Sequence, residues 1–324
     1  MSLGELWMRS GSVEVVVVTR NSAGHIGACV DSIVAGGGEP IVVDNGSTDA
    51  TLEIVRSRSR DARIVTSGEN RGYGAAMNLG FQETKGDCVI LSNPDVVFLG
   101  DSIRKMAEFV ASHPKIGLTG PQQMFPDRSW QRSYGDLPGI WPGIKDAVGL
   151  TTLHNIVRRV FWPRRIDRRP KEVPYVDGAV LAVRRDAFLG VNGFDQEFFL
   201  SADECDMCVR LRKAGWDVVF FPEAQVIHVR GADTTKRDPS DRFVRYHVGS
   251  QHLLASRNLP PWQVRFYMWL EKIQFQRLVL TYAVLRTFLS EPRASRATEK
   301  IRWFRVYSEV LGECIQTGSV VLPK

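Results

Sequence analysis

The densest run of acid in the chain is Ser201-Ala202-Asp203-Glu204-Cys205-Asp206. A carboxylate at a helix start, flanked by the apolar Phe198, Phe199 and Leu200, can have its pKa shifted and act as a general base. Asp203 or Glu204 would carry that role. Ser201 and Glu204 also match S-x-x-E, a capping box in which the glutamate only reaches back to a backbone amide. Asp206 and Arg210 are spaced as i,i+4 partners, with Asp203 on the same helix face. Three more polar clusters close apolar runs: Thr19-Arg20-Asn21, Asp44-Asn45-Gly46-Ser47 and Asn93-Pro94-Asp95. Such residues also make turns and caps, as Asp49 does on this reading. Three in succession at strand ends would instead meet in one crevice.

Other positions suit phosphate or a cation. Asn70-Arg71-Gly72-Tyr73-Gly74 precedes a helix-like segment, where backbone amides and an arginine favour an anion such as a diphosphate. It is neither G-x-G-x-x-G nor G-x-x-x-x-G-K-[ST], so neither a dinucleotide fingerprint nor a P-loop is present. Asp95 could ligate Mg2+ or Mn2+, ions that need few protein carboxylates when phosphate supplies the rest, or it could cap the segment starting near Asp101. Asp177-Gly178-Ala179 opens a strand and reads equally as a turn. His228 follows a strand-like stretch, and a lone histidine is more often structural.

The elements that must position these residues alternate. Val13–Thr19, Pro40–Asp44, Arg63–Thr66 and Cys88–Ser92 read as strands, the first near-continuous in β-branched residues, as burial on both faces requires. Helical patterns follow at 24–35, 49–59, 73–84 and 101–112. This βαβα order predicts an α/β fold, a mostly parallel, Rossmann-like sheet flanked by helices. Residues 121–172 read as loop with one short helix. Val176–Val183 and Asp217–Phe221 read as strands, 202–214 as a helix, and 262–312 as a helical, aromatic and basic extension.

Composition removes several classes. The 324 residues are 44% hydrophobic and 24% charged, with a net charge of +6, which excludes wholesale disorder. The five cysteines, Cys29, Cys88, Cys205, Cys208 and Cys314, are too few and odd in number for a secreted disulfide framework. Cys205 and Cys208 form C-x-x-C without a second pair, and read as small structural residues on a helix. No signal peptide or spanning segment is visible, so a cytoplasmic location is expected. No RRM, KH or helix-turn-helix pattern suggests nucleic acid. Residues 158–169 hold six arginines with aromatics between them. They and the C-terminal segment would suit peripheral contact with the inner face of the cell membrane, a lipid-diphosphate, or packing on the catalytic domain or on a second subunit in a homodimer.

Together the blocks VVTRNSAGHIGACVDSI, VVDNGSTDAT, ENRGYGAAMNLG, LSNPDVVF, VDGAVLAVRRDAFLGVNGFDQEFFLSADECDMCVRLRKAGW and VIHVRG resemble the inverting family 2 glycosyltransferases with a GT-A fold, over roughly residues 13–255. The NPDV form is similar to the rhamnosyltransferase-like branch. The resemblance implies a nucleotide pocket lined by Thr19, Arg20, Asn21 and Asn45, with Asp44 on the pyrimidine base and Arg71 and Gly72 near the diphosphate. Asn93-Pro94-Asp95 stands where the family has D-x-D, so Asp95 would be the ligand for Mg2+ or Mn2+, with His228 approaching the metal or diphosphate. The family's Glu-Asp pair is swapped here to Asp203-Glu204. Glu204 falls at the position of the base, and Asp203 is the alternative. Asn93, Asp177, Gly178 and Asp206 would bind substrate, and Trp216 would pack near the acceptor or in the core.

The implied reaction is one inverting displacement, in which a carboxylate deprotonates an acceptor hydroxyl that attacks the anomeric carbon opposite the diphosphate. The expected donor is a nucleoside-diphosphate sugar, first dTDP-rhamnose, and the expected acceptor is lipid-diphosphate-linked or a glycan, in cell-envelope glycan synthesis. The expected domains are a catalytic domain over 1–255, with a nucleotide-binding half to 120 and an acceptor-binding half from 121, and a helical extension over 256–324. The alternatives are a sugar nucleotidylyltransferase and a sugar-nucleotide-binding subunit that has lost activity.

Overall fold

A computed structural model describes residues 12–161, 169–199, 201–229 and 241–320. Leu200, most of the basic segment 158–169 and the end of the VIHVRG block lie outside the described residues. The chain divides into two compact units. The first comprises 1–136, 163–199 and 203–235, and the second 137–162, 200–202 and 236–324.

The first unit is built on a nine-stranded sheet. Its strands are β1 (Val13–Thr19), β2 (Gly38–Asp44), β3 (Arg63–Thr66), β4 (Cys88–Ser92), β5 (Val96–Phe98), β6 (Ile116–Met124), β8 (Lys171–Glu172), β10 (Val180–Arg184) and β11 (Asp217–His228). A separate pair joins β7 (Tyr134–Gly135) to β9 (Tyr175–Val176). The main order is β3-β2-β1-β4-β10-β6-β11-β5, with β8 beside β11. Strands β1 to β4 pair in parallel, as do β6 and β11, while β10 runs antiparallel between β4 and β6.

The period of two in β1 feeds two cores. Val15 and Val17 join Ile26, Ile33, Ile103 and Met106 on one face. Val16 and Val18 join Met77, Phe81, Met207 and Leu211 on the other. The helices that supply these residues are α1 (Ile26–Ala35) and α4 (Ser102–Ser112) on the first face, and α3 (Tyr73–Gln82) and α8 (Asp203–Lys213) on the second. In α1 the buried Ile26, Cys29, Val30 and Ile33 keep the i, i+3, i+4, i+7 spacing of a single face. The helices α2 (Thr51–Arg58) and α7 (Arg185–Gly190) complete the unit. Covering both faces is what near-continuous valine strands need.

Several expectations are corrected. Strand β6 was not foreseen, because Gly117, Gly120, Pro121, Gln122 and Gln123 break its apolar run, yet all nine residues are buried. Residues 121–172 hold two helices, α5 (Ile140–Ala147) and α6 (Leu150–Phe161), not one. The strand expected over 176–183 is divided between β9 and β10 by Asp177-Gly178-Ala179. The strand at Asp217 runs on to His228 through a register shift between Phe221 and Gln225, where Pro222 interrupts the ladder.

The second unit is helical. α9 (Asp241–Asn258), α10 (Pro261–Arg286) and α11 (Arg293–Thr317) share a core of Val244, Val248, Val264, Met268, Tyr307 and Val310. Phe275 stacks on Tyr307 with ring centroids 4.4 Å apart. Among the described residues no helix is long and apolar enough to cross a membrane. All five cysteines are buried and free.

Close packing of α3 on the sheet needs Gly80. A Cβ there would clash with Val16 and stand 2.6 Å from a Val43 methyl. Gly→Ala in a helix interior ordinarily stabilises by up to ~1 kcal/mol. Gly80→Ala is expected to reverse that sign and cost about 1–3 kcal/mol through overpacking, read as a lower urea midpoint with an unchanged slope.

Candidate functional site

The carboxyl ends of β1, β2 and β4 bring the three polar clusters to one edge. Thr19 and Asp44 are register partners. The Asn45 amide donates to the Thr19 carbonyl (2.8 Å), and Asp44 accepts the Ser47 amide (3.1 Å). Asn21 takes a left-handed φ of 51° and accepts the Thr48 amide at 2.7 Å. Arg20 and Arg71 are exposed at this edge.

Asn45 is buried, and its side chain is spent on the loop before α3. It donates to Asn70 Oδ1 (3.0 Å) and the Gly72 carbonyl (3.2 Å), and accepts from Ser67 Oγ (3.1 Å) and the Arg71 amide (3.0 Å). It therefore sets where Arg71 stands. Gly72 has φ 85°, and a Cβ on it would meet the Phe199 carbonyl oxygen at 3.0 Å. The loop so formed is seated against the segment leading to the acid pair.

That pair opens α8. Asp203 is buried, with Oδ2 lacking a protein partner. Glu204 is partly buried and lies along Gly178, where a Cβ would meet its Cβ, Cγ and Cδ at 3.1–3.3 Å. Burial first, then the Asp203 charge, pushes the Glu204 carboxyl well above its ordinary range. Burial also raises Asp203. Like charges this close do not both ionise easily. Ser201 and Ala202, just before the helix, both have positive φ (69° and 64°). An N-cap needs an extended backbone, so the capping-box alternative for Ser201 does not hold. Two adjacent strained residues are a feature of functional sites.

Four predicted acids act electrostatically on one hydroxyl. Tyr73 donates to the Gly178 carbonyl (3.2 Å), and its pKa is raised by burial and then by Asp203, Glu204, Asp177 and Asp95. The Asn93 amide donates to the Ala179 carbonyl (2.9 Å), which joins the β4 end to the same turn. Beside it, Asp95 Oδ1 lies 3.5 Å from His228 Nε2. His228 Nδ1 lies 2.9 Å from Gln123 Oε1, and an amide oxygen only accepts, so Nδ1 carries a proton and Nε2 is the nitrogen that faces Asp95. Gln123 Nε2 in turn contacts the Asp177 carboxylate at 3.3 Å. Sequence reasoning missed Gln123 and the role of Tyr73. The signal was there in two glutamines inside an otherwise apolar strand.

One predicted residue is not brought to this edge, and a second, beside Asp203, is engaged in an ion pair. Trp216 precedes β11 at the far end from His228 and packs on Gly117 and the second core. Asp206 is held by Arg210, Oδ2 to Nε 2.6 Å, and Arg210 also donates to the Val191 carbonyl, so the pair ties α8 to the preceding loop.

Residues 14–190 match the profile of Glycosyl transferase family 2. The chain belongs to this family. A second profile, Glycosyl transferase family group 2, matches 151–307. The chain is 32% identical to the N-acetylglucosaminyl-diphospho-decaprenol L-rhamnosyltransferase of Mycobacterium tuberculosis, over 77% of this chain and 86% of that protein. It is 24% identical to the rhamnosyltransferase WbbL of Escherichia coli, over 59% of this chain and 75% of that one. Among solved structures, a mannosyltransferase from Pyrobaculum calidifontis in complex with GDP-Man and Mn2+ superposes with a TM-score of 0.56 at 17% identity, covering 97% of this chain and 93% of the other. The fold is GT-A-like, and this glycosyltransferase stands apart from the nucleotidylyltransferase alternative.

In the glycosyltransferase, Asn45→Ala would remove the acceptor of the Arg71 amide and the donor to Asn70 Oδ1 and the Gly72 carbonyl, while Ser67 keeps the Glu69 and Asp44 carbonyls. The expected cost is about 1–3 kcal/mol, with hydrogen exchange of amides 67–72 accelerating while the β4 amides stay protected.

Proposed function

We propose that this glycosyltransferase moves rhamnose from dTDP-rhamnose to a lipid-diphosphate-linked acceptor in cell-envelope glycan synthesis, with inversion at the anomeric carbon. The observation that carries the chemistry is the Asp203–Glu204 pair at a helix start, set against Gly178 beside the strand ends. The donor and acceptor rest on the 32% identical relative and its printed activity.

Glu204 is the base in this reading, because it falls at the position of the family's base and its residue keeps some exposed surface where Asp203 is buried. Glu204 takes the proton of the acceptor hydroxyl. The hydroxyl oxygen bonds to the anomeric carbon as the bond to the diphosphate oxygen breaks on the opposite face, and the nucleoside diphosphate leaves with that electron pair. Asp203 holds the Glu204 pKa high enough for a strong base. Thr19, whose buried Oγ1 has no protein partner, lines the nucleotide side with Arg20, Asn21 and Asp44. Arg71 faces the diphosphate.

A divalent ion fits the residues present. Mg2+ and Mn2+ take one or two protein ligands and complete their shells with phosphate and water. Asp95 offers a carboxylate, and His228 an imidazole nitrogen whose other nitrogen is bonded to an amide oxygen, as in metal-binding histidines. These two would hold the ion, and when bound it would offset charge on the leaving diphosphate.

The base assignment has a pH signature. A raised carboxyl pKa leaves Glu204 protonated where an ordinary glutamate is ionised, so activity climbs as pH rises through that pKa. Asp203→Asn removes the like charge, lowers the Glu204 pKa, and is expected to move the acid limb of kcat/KM to lower pH. Glu204→Gln should lower transfer about 10²–10⁴-fold at all pH values. Losses under ~10-fold for both variants would refute the assignment.

The donor is tested by thermal shift with dTDP, UDP, GDP and CDP, each with and without Mn2+. A nucleotide at 100 times its Kd adds about 2.7 kcal/mol of stability. The expected result is a shift with dTDP that grows with Mn2+, the growth being lost in Asp95→Asn. A shift with UDP or GDP alone would overturn the rhamnosyl donor and keep the family.

A further inference from the structure

Along α6, apolar residues recur at Leu150, Leu153, Ile156, Val157, Val160 and Phe161, the spacing of one helix face. On a helix packed against protein that face is the hidden one. Here Leu150, Leu153, Ile156, Val160 and Phe161 are each 55–68% exposed. The polar Thr151, Thr152, Asn155 and Arg158, on the other side of the helix, are partly buried, as is Val157 at the edge of the apolar face, and His154 is exposed. The helix is inside out.

Its neighbours are built alike. Trp141 on α5 is 75% exposed, and Val148 in the two-residue turn between α5 and α6 is exposed too. That turn depends on Gly149, with φ 85°. It is clamped by Arg277 of α10, which donates to the Ala147 carbonyl (2.9 Å) and the Asp146 carbonyl (3.2 Å). The exposed face is thus carried on a fixed hairpin.

Charge decides what covers it. α6 contains no acidic residue, and its charged or chargeable groups are His154, Arg158 and Arg159. A second copy docking there would bring a helix of the same positive charge, with no acid on it to pair the arginines of either. An anionic bilayer surface complements both the apolar face and the charge. Twelve residues of helix measure about 18 Å, too short to span a hydrocarbon core and suited to lying in its plane.

We propose that α6 is an interfacial membrane anchor, lying in the headgroup–acyl boundary of a bilayer rich in anionic lipid. The proposal stands on the helix and does not rest on the transfer reaction. A lipid-linked acceptor would give the anchor its use.

The test is flotation of the full chain with vesicles of phosphatidylcholine, with and without phosphatidylglycerol, at low and raised salt. The chain is expected to float with the anionic vesicles and to bind less at raised salt, where exposed charges are screened. Leu153→Glu combined with Ile156→Glu should lower the bound fraction at least ~10-fold. The melting temperature should hold, since both side chains are exposed. Leu153→Ser with Ile156→Ser is the milder pair should the first not fold. No flotation of the wild-type chain at low salt would overturn the proposal, as would undiminished flotation of a folded variant. A dimer by light scattering that these substitutions dissolve, in a chain that ignores vesicles, would assign the face to a second copy instead.

Discussion

Two carboxyl groups share one buried helix start, and much of the catalytic unit is arranged to allow it. Burial raises the cost of ionising both, and the Asp203 charge raises it further for Glu204, while a hydrogen bond from Glu204 eases it for Asp203. A pair like this persists only if its surroundings over-determine it. Gly178 lets the Glu204 side chain lie against the turn. Gly74 is pressed by Phe194, where a Cβ would stand 2.9 Å from the phenylalanine Cβ and 3.7 Å from Asp203 Oδ2. Ser201 and Ala202 hold left-handed φ values without being glycines. The strain and the close approaches fall within a few residues of the pair, on segments fixed by the second core.

The sheet topology explains why these segments meet. A run of parallel strands ends β1, β2 and β4 at one edge. The antiparallel β10 then enters beside β4 from that same edge, so the Asp177-Gly178-Ala179 turn before it stands over the β4 end. β6 and β11 resume the parallel direction and deliver Gln123 and His228 there as well. Gln123 is the joint. One end of its amide orders His228, the other touches Asp177, and the residue has no exposed surface. A buried amide that contacts both groups at once ties the end of β11 to the turn before β10.

The first hundred residues were legible because their strands and helices follow simple periods, and because chemistry-bearing residues at strand ends stand out against valine runs. The middle of the chain was not. β6 carries glycines, a proline and glutamines because it serves the site from inside the sheet, and those residues mask the period of a strand. Trp216 closes a block of the resemblance and was open to an acceptor contact or a place in the core, and its position before β11 chooses the core, at the opposite end of a twelve-residue strand. Ser201 matched a capping pattern that requires a backbone conformation it does not adopt. Each miss arises where a residue type is compatible with two settings and only the path of the backbone chooses between them.

The two units break the ordinary rule of burial in opposite senses. In the first, carboxyls and a glutamine are inside, where an apolar residue would cost nothing. In the second, leucine, isoleucine and phenylalanine are outside along a helix whose polar side is the less exposed. Burying a charge costs several kcal/mol, and leaving a contiguous apolar face in water forgoes about 25 cal/mol for every Å² that could be hidden. Neither cost is recovered within the chain. On the readings proposed above, each is recovered when something else arrives, the hydroxyl of a polar acceptor at the carboxyl pair, and lipid at the exposed helix. In both places the misfit identifies the chemistry of the absent partner more directly than any motif does.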